Sequence, residues 1–226
     1  MSPPMIEIKT FEDPEGKRLT LHRKPGTSEY WLAPEGELPE SGVQVEPLNL
    51  PIIETGALLW YRLSPEEPVE KLAQLVKRRR TDWLVSLDSA AWTGIAAAVD
   101  APAGDGRTAL LRAILLPNPD VEMVRILLNM GAHPRQESLE KPPPSLKRAT
   151  PFQLAYDWEL LPVLTLFVAT RKLSEENLSS CEDKFRDCTQ GVTMFNRECG
   201  ELLDEIARVR SRVDLPPPDP GTHGIK

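Results

Sequence analysis

DGRTALLRAILLPNPDVEMVRILLNMGAHP, residues 105–134, packs two short apolar-faced helices and a Gly-Ala stop into one unit. Leu110, Leu111, Ile114 and Leu115 recur at helical spacing before Pro117-Asn-Pro119 ends the first helix. Asp120 stands where it can cap a second helix, whose apolar face is Val121, Val124, Leu127 and Leu128. Gly131 then falls where a helix end calls for a left-handed residue. Two helices of about ten residues cannot bury such faces alone. They need neighbours, which is the logic of a stack of repeats.

A second copy follows. Ala149-Thr-Pro-Phe-Gln-Leu-Ala-Tyr156 opens a helix with Pro151 in its first turn, where the missing N–H is no loss. Val163, Leu164, Leu166, Phe167 and Val168 then give another apolar helix, with Pro162 in its first turn. Both copies resemble the ankyrin repeat. Asp105, Gly106, Thr108, Ala113, Glu122, Val124, Leu127, Leu128, Gly131 and Ala132 echo its Asp-Gly-x-Thr, helix, turn, helix, Gly-Ala run. The second copy echoes its Thr-Pro-Leu-His-x-Ala opening. There are departures: Arg171 and Lys172 stand where Gly-Ala is expected, and the histidine of the motif is Leu111 in one copy and Gln153 in the other.

Thr108 and Thr150 lie 42 positions apart, so roughly nine residues exceed the ankyrin period of about 33. Most of the excess falls in residues 135–148, where Pro142, Pro143 and Pro144 favour an extended segment. This is either a solvated insertion or a loop that touches partners. Upstream, Val99-Asp-Ala-Pro-Ala-Gly-Asp105 resembles the exit of an earlier repeat. Residues 68–80 make a helix with Val69, Leu72, Ala73 and Val76 on one face, and Trp83, Leu84, Leu87, Trp92 and Ile95 are apolar enough for core. Residues 66–104 therefore read as one or two degenerate helical pairs.

The first 60 residues differ in kind. Ile6-Glu-Ile-Lys-Thr-Phe11 alternates, Asp13-Pro-Glu-Gly16 is turn chemistry, and Arg18-Leu-Thr-Leu-His22 alternates again, which predicts a β-hairpin. A lone hairpin is marginal in water, so it must pack on something. Tyr30-Trp-Leu32 and Val43-Gln-Val45 are candidate further strands or docking residues, although the proline and glutamate density of 33–51 points to a loosely held segment.

Near the other end Leu178, Cys181, Phe185, Cys188, Val192, Phe195, Cys199, Leu202, Ile206, Val209 and Val213 are spaced 3 and 4 without a break. As one helix these five heptads would run on the order of 54 Å. The stripe is either the seam of a homodimeric coiled coil or the face of helices packed on the protein's own repeats. Glu205 and Arg210 would make one attractive interchain pair in a parallel dimer, while Gly191 and Gly200 each cost about 1 kcal/mol in a helix and favour shorter pieces.

The expected architecture is mainly α: an ankyrin-like helical repeat stack with an N-terminal β-hairpin arm and a long C-terminal helical segment. The arm takes residues 1–65, the stack 66–172, the long helix 173–214 and a disordered tail 215–226. The family resemblance implies a protein-protein interaction scaffold that binds a partner protein. In the family, partners lie against turn tips and first helices. By position these are Arg107, Arg112, His133 and Arg135 in the first copy, and Gln153 and Tyr156 in the second.

Enzyme readings fare poorly against spacing. The sequence holds no GxxxxGK[ST], GxGxxG or HExxH. His22, His133 and His223 lie far apart, and Cys188 lacks the arginine six residues on that a phosphate-cradling loop needs. No cofactor, catalytic residue or metal set is expected. The three cysteines all lie in the stripe and read as small apolar helix residues. A net charge of -7 argues against general nucleic-acid binding. Lys77-Arg-Arg-Arg80 is either a contact for acidic partners or nuclear import, or a cationic helix end. With no apolar run near the ~20 residues of a membrane span and no secretory signal, the expected location is cytoplasmic or nuclear.

Overall fold

The computed structural model describes residues 5–27, 29–37, 42–45, 56–64, 66–136, 150–189 and 193–213. Val192, most of the proline-rich insertion and the tail at 215–226 lie outside these residues.

The alternating N-terminal segments form an antiparallel meander. Strands β1 (Ile6–Glu12), β2 (Arg18–Arg23), β3 (Tyr30–Pro34) and β4 (Val43–Val45) pair in chain order. Asp13 shapes the first turn by accepting the Glu15 and Lys17 N–H groups at 2.8 and 2.9 Å. In register, Phe11 faces Leu19 and Leu21 faces Leu32. Phe11 and Leu21 are buried and join a single core with Trp60 of α1 (Gly56–Leu63). The sheet thus finds the packing partner that a hairpin needs. Its first turn is tied to the helices by Glu15, which pairs with Arg78 at 2.7 Å.

The helices follow as hairpins set side by side. α2 (Pro68–Lys77) and α3 (Thr81–Val85) make the first, α5 (Ala109–Leu115) and α6 (Val121–Asn129) the second, α7 (Pro151–Asp157) and α8 (Leu161–Ala169) the third. One row runs α2, α5, α7 and the other α3, α6, α8, each helix packing on the next. Leu72, Leu75 and Val76 meet Leu110, Ala113 and Ile114, then Leu154 and Ala155, as one continuous core. Between its two helices each hairpin carries a left-handed residue, Arg79, Asn118 or Glu159, at φ 54, 53 and 55°. The Arg80 N–H donates to Leu75 O and the Leu160 N–H to Ala155 O, both at 2.9 Å, so the first and third turns close alike.

Polar side chains cap the helix starts, as the sequence reading expected at Asp120. Thr108 and Thr150 accept the N–H groups of Leu111 and Gln153 at 3.2 and 3.1 Å, and Asp120 accepts those of Glu122 and Met123. Gly131 ends α6 at φ +107°. Arg171, which replaces the expected glycine in the next hairpin, takes φ 58° itself, so the turn survives without the residue that suits it best. The first unit is irregular. α3 has five residues, and α4 (Ser89–Ala97) follows it, capped by Asp88, which accepts the Ala91 N–H at 2.8 Å. Trp60 of α1 sets its ring edge-on to Trp83 of α3 at 5.8 Å.

The C-terminal stripe is not one helix. α9 (Glu175–Phe185) passes into a 3-10 turn at Arg186–Thr189, and α10 (Met194–Val213) folds back along α8 and α9. Arg210, near the far end of α10, reaches Glu175 at 2.5 Å, Ser179 at 3.2 Å and Glu182 at 2.7 Å on α9, so the pair is antiparallel. Hydrogen bonding from Arg210 holds Glu182 below its usual carboxylate range. The continuous five-heptad rod is therefore corrected. Leu178, Cys181, Phe185, Cys199, Leu202, Ile206 and Val209 are each at most 7 % exposed within the chain. Phe195 is 39 % exposed. The interchain partner expected for Arg210 is replaced by α9, and Glu205 pairs with Arg208 instead. Reversal is favoured because it buries both halves of the stripe at once, against α8 and against each other.

Candidate functional site

The loop before α5 is organised around one carboxylate. Asp105 Oδ1 accepts the Arg107 N–H at 3.1 Å and Arg112 Nη2 at 2.8 Å, and Oδ2 lies 3.9 Å from Arg107 Nε. Gly106, at φ +77°, lets the turn close, with its N–H donating to Ala103 O at 2.7 Å. The same loop is anchored on α2, where Glu70 Oε1 accepts the Gly104 N–H at 2.6 Å. Arg112 is 17 % exposed at its side chain, and its shielded Nε donates to no protein acceptor. Arg107 and Arg112 thus form a cluster that Asp105 orients and partly neutralises.

His133 and Arg135 lie in the next loop. Asp100 accepts the His133 N–H at 2.9 Å, and His133 Nδ1 accepts the Arg135 N–H at 3.1 Å. On the other side Lys172 Nζ donates to Gly131 O at 2.6 Å and Ala132 O at 3.2 Å. Three successive exits are therefore laced together by Asp100 and Lys172, neither of which the sequence reading gave a role at the site. The signal that could have found Asp100 is its separation of 33 residues from His133, which equals the period of the family that the sequence resembles. Lys172 gave no signal, because it stands where the motif wanted alanine.

The start of α7 adjoins this loop, since the Phe152 N–H donates to Pro134 O at 2.8 Å. Gln153 is exposed and donates to Asp157 at 2.8 Å. Tyr156 is placed differently from the exposed anchor that motif position implied. It is half-buried under α9, stacked on Phe152 at 6.1 Å and edge-on to Phe185 at 6.2 Å. Lys184 Nζ sits 4.5 Å above its ring and donates to its carbonyl at 2.7 Å. Helix α9 claims this tyrosine because its ring completes the aromatic contact that fills the end of the stack.

Three residues of the basic run at 77–80 have partners nearby, although Lys77, Arg78 and Arg79 remain exposed. Arg78 pairs with Glu15, Arg79 donates to the Pro117 carbonyl, and Arg80 pairs with Asp82 at 3.0 Å while lying 4.3 Å over Trp83. Two clefts remain. One of about 260 Å³ lies between the sheet and the α1–α2 corner, lined by Phe11, Trp60, Glu66 and Gln74 among others. The other, about 250 Å³, lies between α6 and α8 beside Arg125 and Lys172. Among the described residues, no group of three metal-ligating side chains lies together and no helix is long and apolar enough to cross a membrane.

No family model, curated protein or solved structure matches the chain.

Proposed function

We propose that the protein is an interaction scaffold of the ankyrin-like kind, binding a partner protein along the loop tips and first helices of its hairpins. The observation that carries this reading is the lacing of successive loops by Asp100 and Lys172. It holds the tips in a row without a bound partner, so little conformational entropy is lost on docking. The contact residues are Arg107, Arg112, His133, Arg135 and Gln153. Arg112 has the character of an anchor, being largely sheltered, oriented by Asp105, and still carrying one unpartnered N–H.

The test compares partner capture by wild type, by an Arg107→Glu/Arg135→Glu double variant, and by Arg125→Glu on the α6–α8 flank. Far-UV circular dichroism verifies that each is folded. Partners lost at least tenfold by the double variant and retained by Arg125→Glu support the reading. Equal capture by all three removes the loop-tip face as the binding surface.

A further inference from the structure

Cys188 lies in the 3-10 turn that ends α9, and Cys199 lies on α10, which packs back onto that turn. The turn is held against α10 by Asn196, whose Nδ2 donates to the Cys188 carbonyl. Cys199 stands three residues after Asn196, on the same helix face. Asn196 thereby sets the Cys188 end of the turn against the helix face that carries Cys199, and the Cys188 thiol, which also donates to the Lys184 carbonyl at 4.0 Å, is among the groups that push the Cys199 thiol up. Their access differs. Cys188 is half-buried, whereas Cys199 is fully buried. Cys181, the remaining cysteine, is buried on α9.

We propose that Cys188 and Cys199 form a reversible intrachain disulfide, with Cys188 as the thiol that meets the oxidant and Cys199 as the thiol that resolves it. The oxidant class is a low-molecular-weight disulfide. The Cys188 thiolate attacks one sulfur of that molecule, its S–S bond breaks, and one small thiol leaves. Cys199 then loses its proton to solvent and attacks the Cys188 sulfur, expelling the second small thiol. The two protein thiols give up two electrons and two protons in all, and the small disulfide takes them up to become two thiols. Burial first, and the Cys188 thiol second, push the Cys199 thiol up to about 11. At neutral pH Cys199 therefore holds its proton, and the first attack falls to the more accessible Cys188. Cys181, also pushed up to about 11 by burial, is buried on α9 away from the contact between the turn and Asn196, so it takes no part in the exchange.

The bond has a defined structural effect. Arg210 secures the open end of the α9–α10 pair through Glu175, Ser179 and Glu182, and the disulfide staples its turn end. Oxidation would tighten the element that closes the stack beyond α8.

Full-length protein is equilibrated in a series of oxidised and reduced glutathione mixtures, acid-quenched, alkylated and digested with trypsin. Cleavage after Lys184, Arg186, Arg197 and Arg208 places the three cysteines on three different peptides. The expected result is a monomer lighter by about 2 Da, with the Cys188 peptide joined to the Cys199 peptide and Cys181 alkylated only after unfolding. Cys199→Ser should trap a mixed disulfide on Cys188, and Cys188→Ser should leave Cys199 unmodified in the folded protein. An unresolved mixed disulfide in wild type, a disulfide-linked dimer, a bond to Cys181, or no oxidation at any ratio would overturn the proposal. The wild-type peptide map decides the matter even where a serine variant does not fold.

Discussion

Phe185→Ala tests how the C-terminal stripe is buried. Phe185 is 1 % exposed, edge-on to Tyr156 and beneath Lys184, at the point where α9 meets the third hairpin. Removing such a ring costs about 3–5 kcal/mol through lost transfer energy and the cavity left behind. Phe195 is at an equivalent place in the heptad spacing but is 39 % exposed, so Phe195→Ala should cost about 1 kcal/mol or less. With a urea slope of about 2 kcal/mol/M, the first substitution lowers the unfolding midpoint by about 1.5–2.5 M and the second by at most about 0.5 M. The assay is urea unfolding followed by far-UV circular dichroism at protein concentrations spanning a hundredfold. A seam between two chains treats both phenylalanines as core and makes the midpoint rise with concentration. Equal losses for the two variants, or a concentration-dependent midpoint, would refute the folded-back arrangement.

Thr108, 1 % exposed, caps α5, so Thr108→Ala should destabilise by about 1 kcal/mol while Thr108→Ser keeps most of the cap; identical urea midpoints for the two variants would show that the hydroxyl is not capping. Asp88 caps α4, and the Ala91 N–H, followed by Arg62, holds its carboxyl below the usual carboxylate range. A carboxylate depressed in the folded state contributes stability that is fully present above its unfolded value of about 3.9 and is lost as pH falls through the folded value. Asp88→Asn retains an acceptor oxygen without the charge. Thermal unfolding of that variant should depend less steeply on pH below about pH 5 than wild type, and parallel pH profiles would remove Asp88 as a contributor.

Much of the local structure was legible because its causes are local. The cap at Asp120 and the β1–β2 turn at Asp13 rest on side chains meeting backbone groups within a few residues, and the stop at Gly131 on a backbone conformation that glycine favours; the caps at Thr108 and Thr150 are equally local but were read only as motif residues. The candidate site was legible in part. Arg107, His133 and Arg135 lie in loops; Asp105 orients Arg107 and Arg112 from within its own loop, whereas the bond from His133 to Asp100 depends on how two loops approach each other. Tyr156 was misjudged as a free anchor, since nothing near it in sequence announces that α9 will return over it with Phe185 and Lys184. The neighbouring thiols of Cys188 and Cys199 escaped for a related reason, because a heptad reading sets them along one helix and not across a turn.

The sequence by itself determined the strands of the first hairpin, the two clear helical pairs and which faces are apolar, because period, capping and turn chemistry act over a few residues, whereas α1 and the break between α9 and α10 were not read from it. Tertiary structure decided what covers those faces. The spacing of Leu178, Phe185, Cys199, Leu202 and Ile206 demanded burial and was equally satisfied by a second chain or by α8. The reversal after Phe185 gives both halves of the stripe partners within the same molecule. Apolar periodicity specifies that a face leaves water, and only the packed fold specifies what it meets.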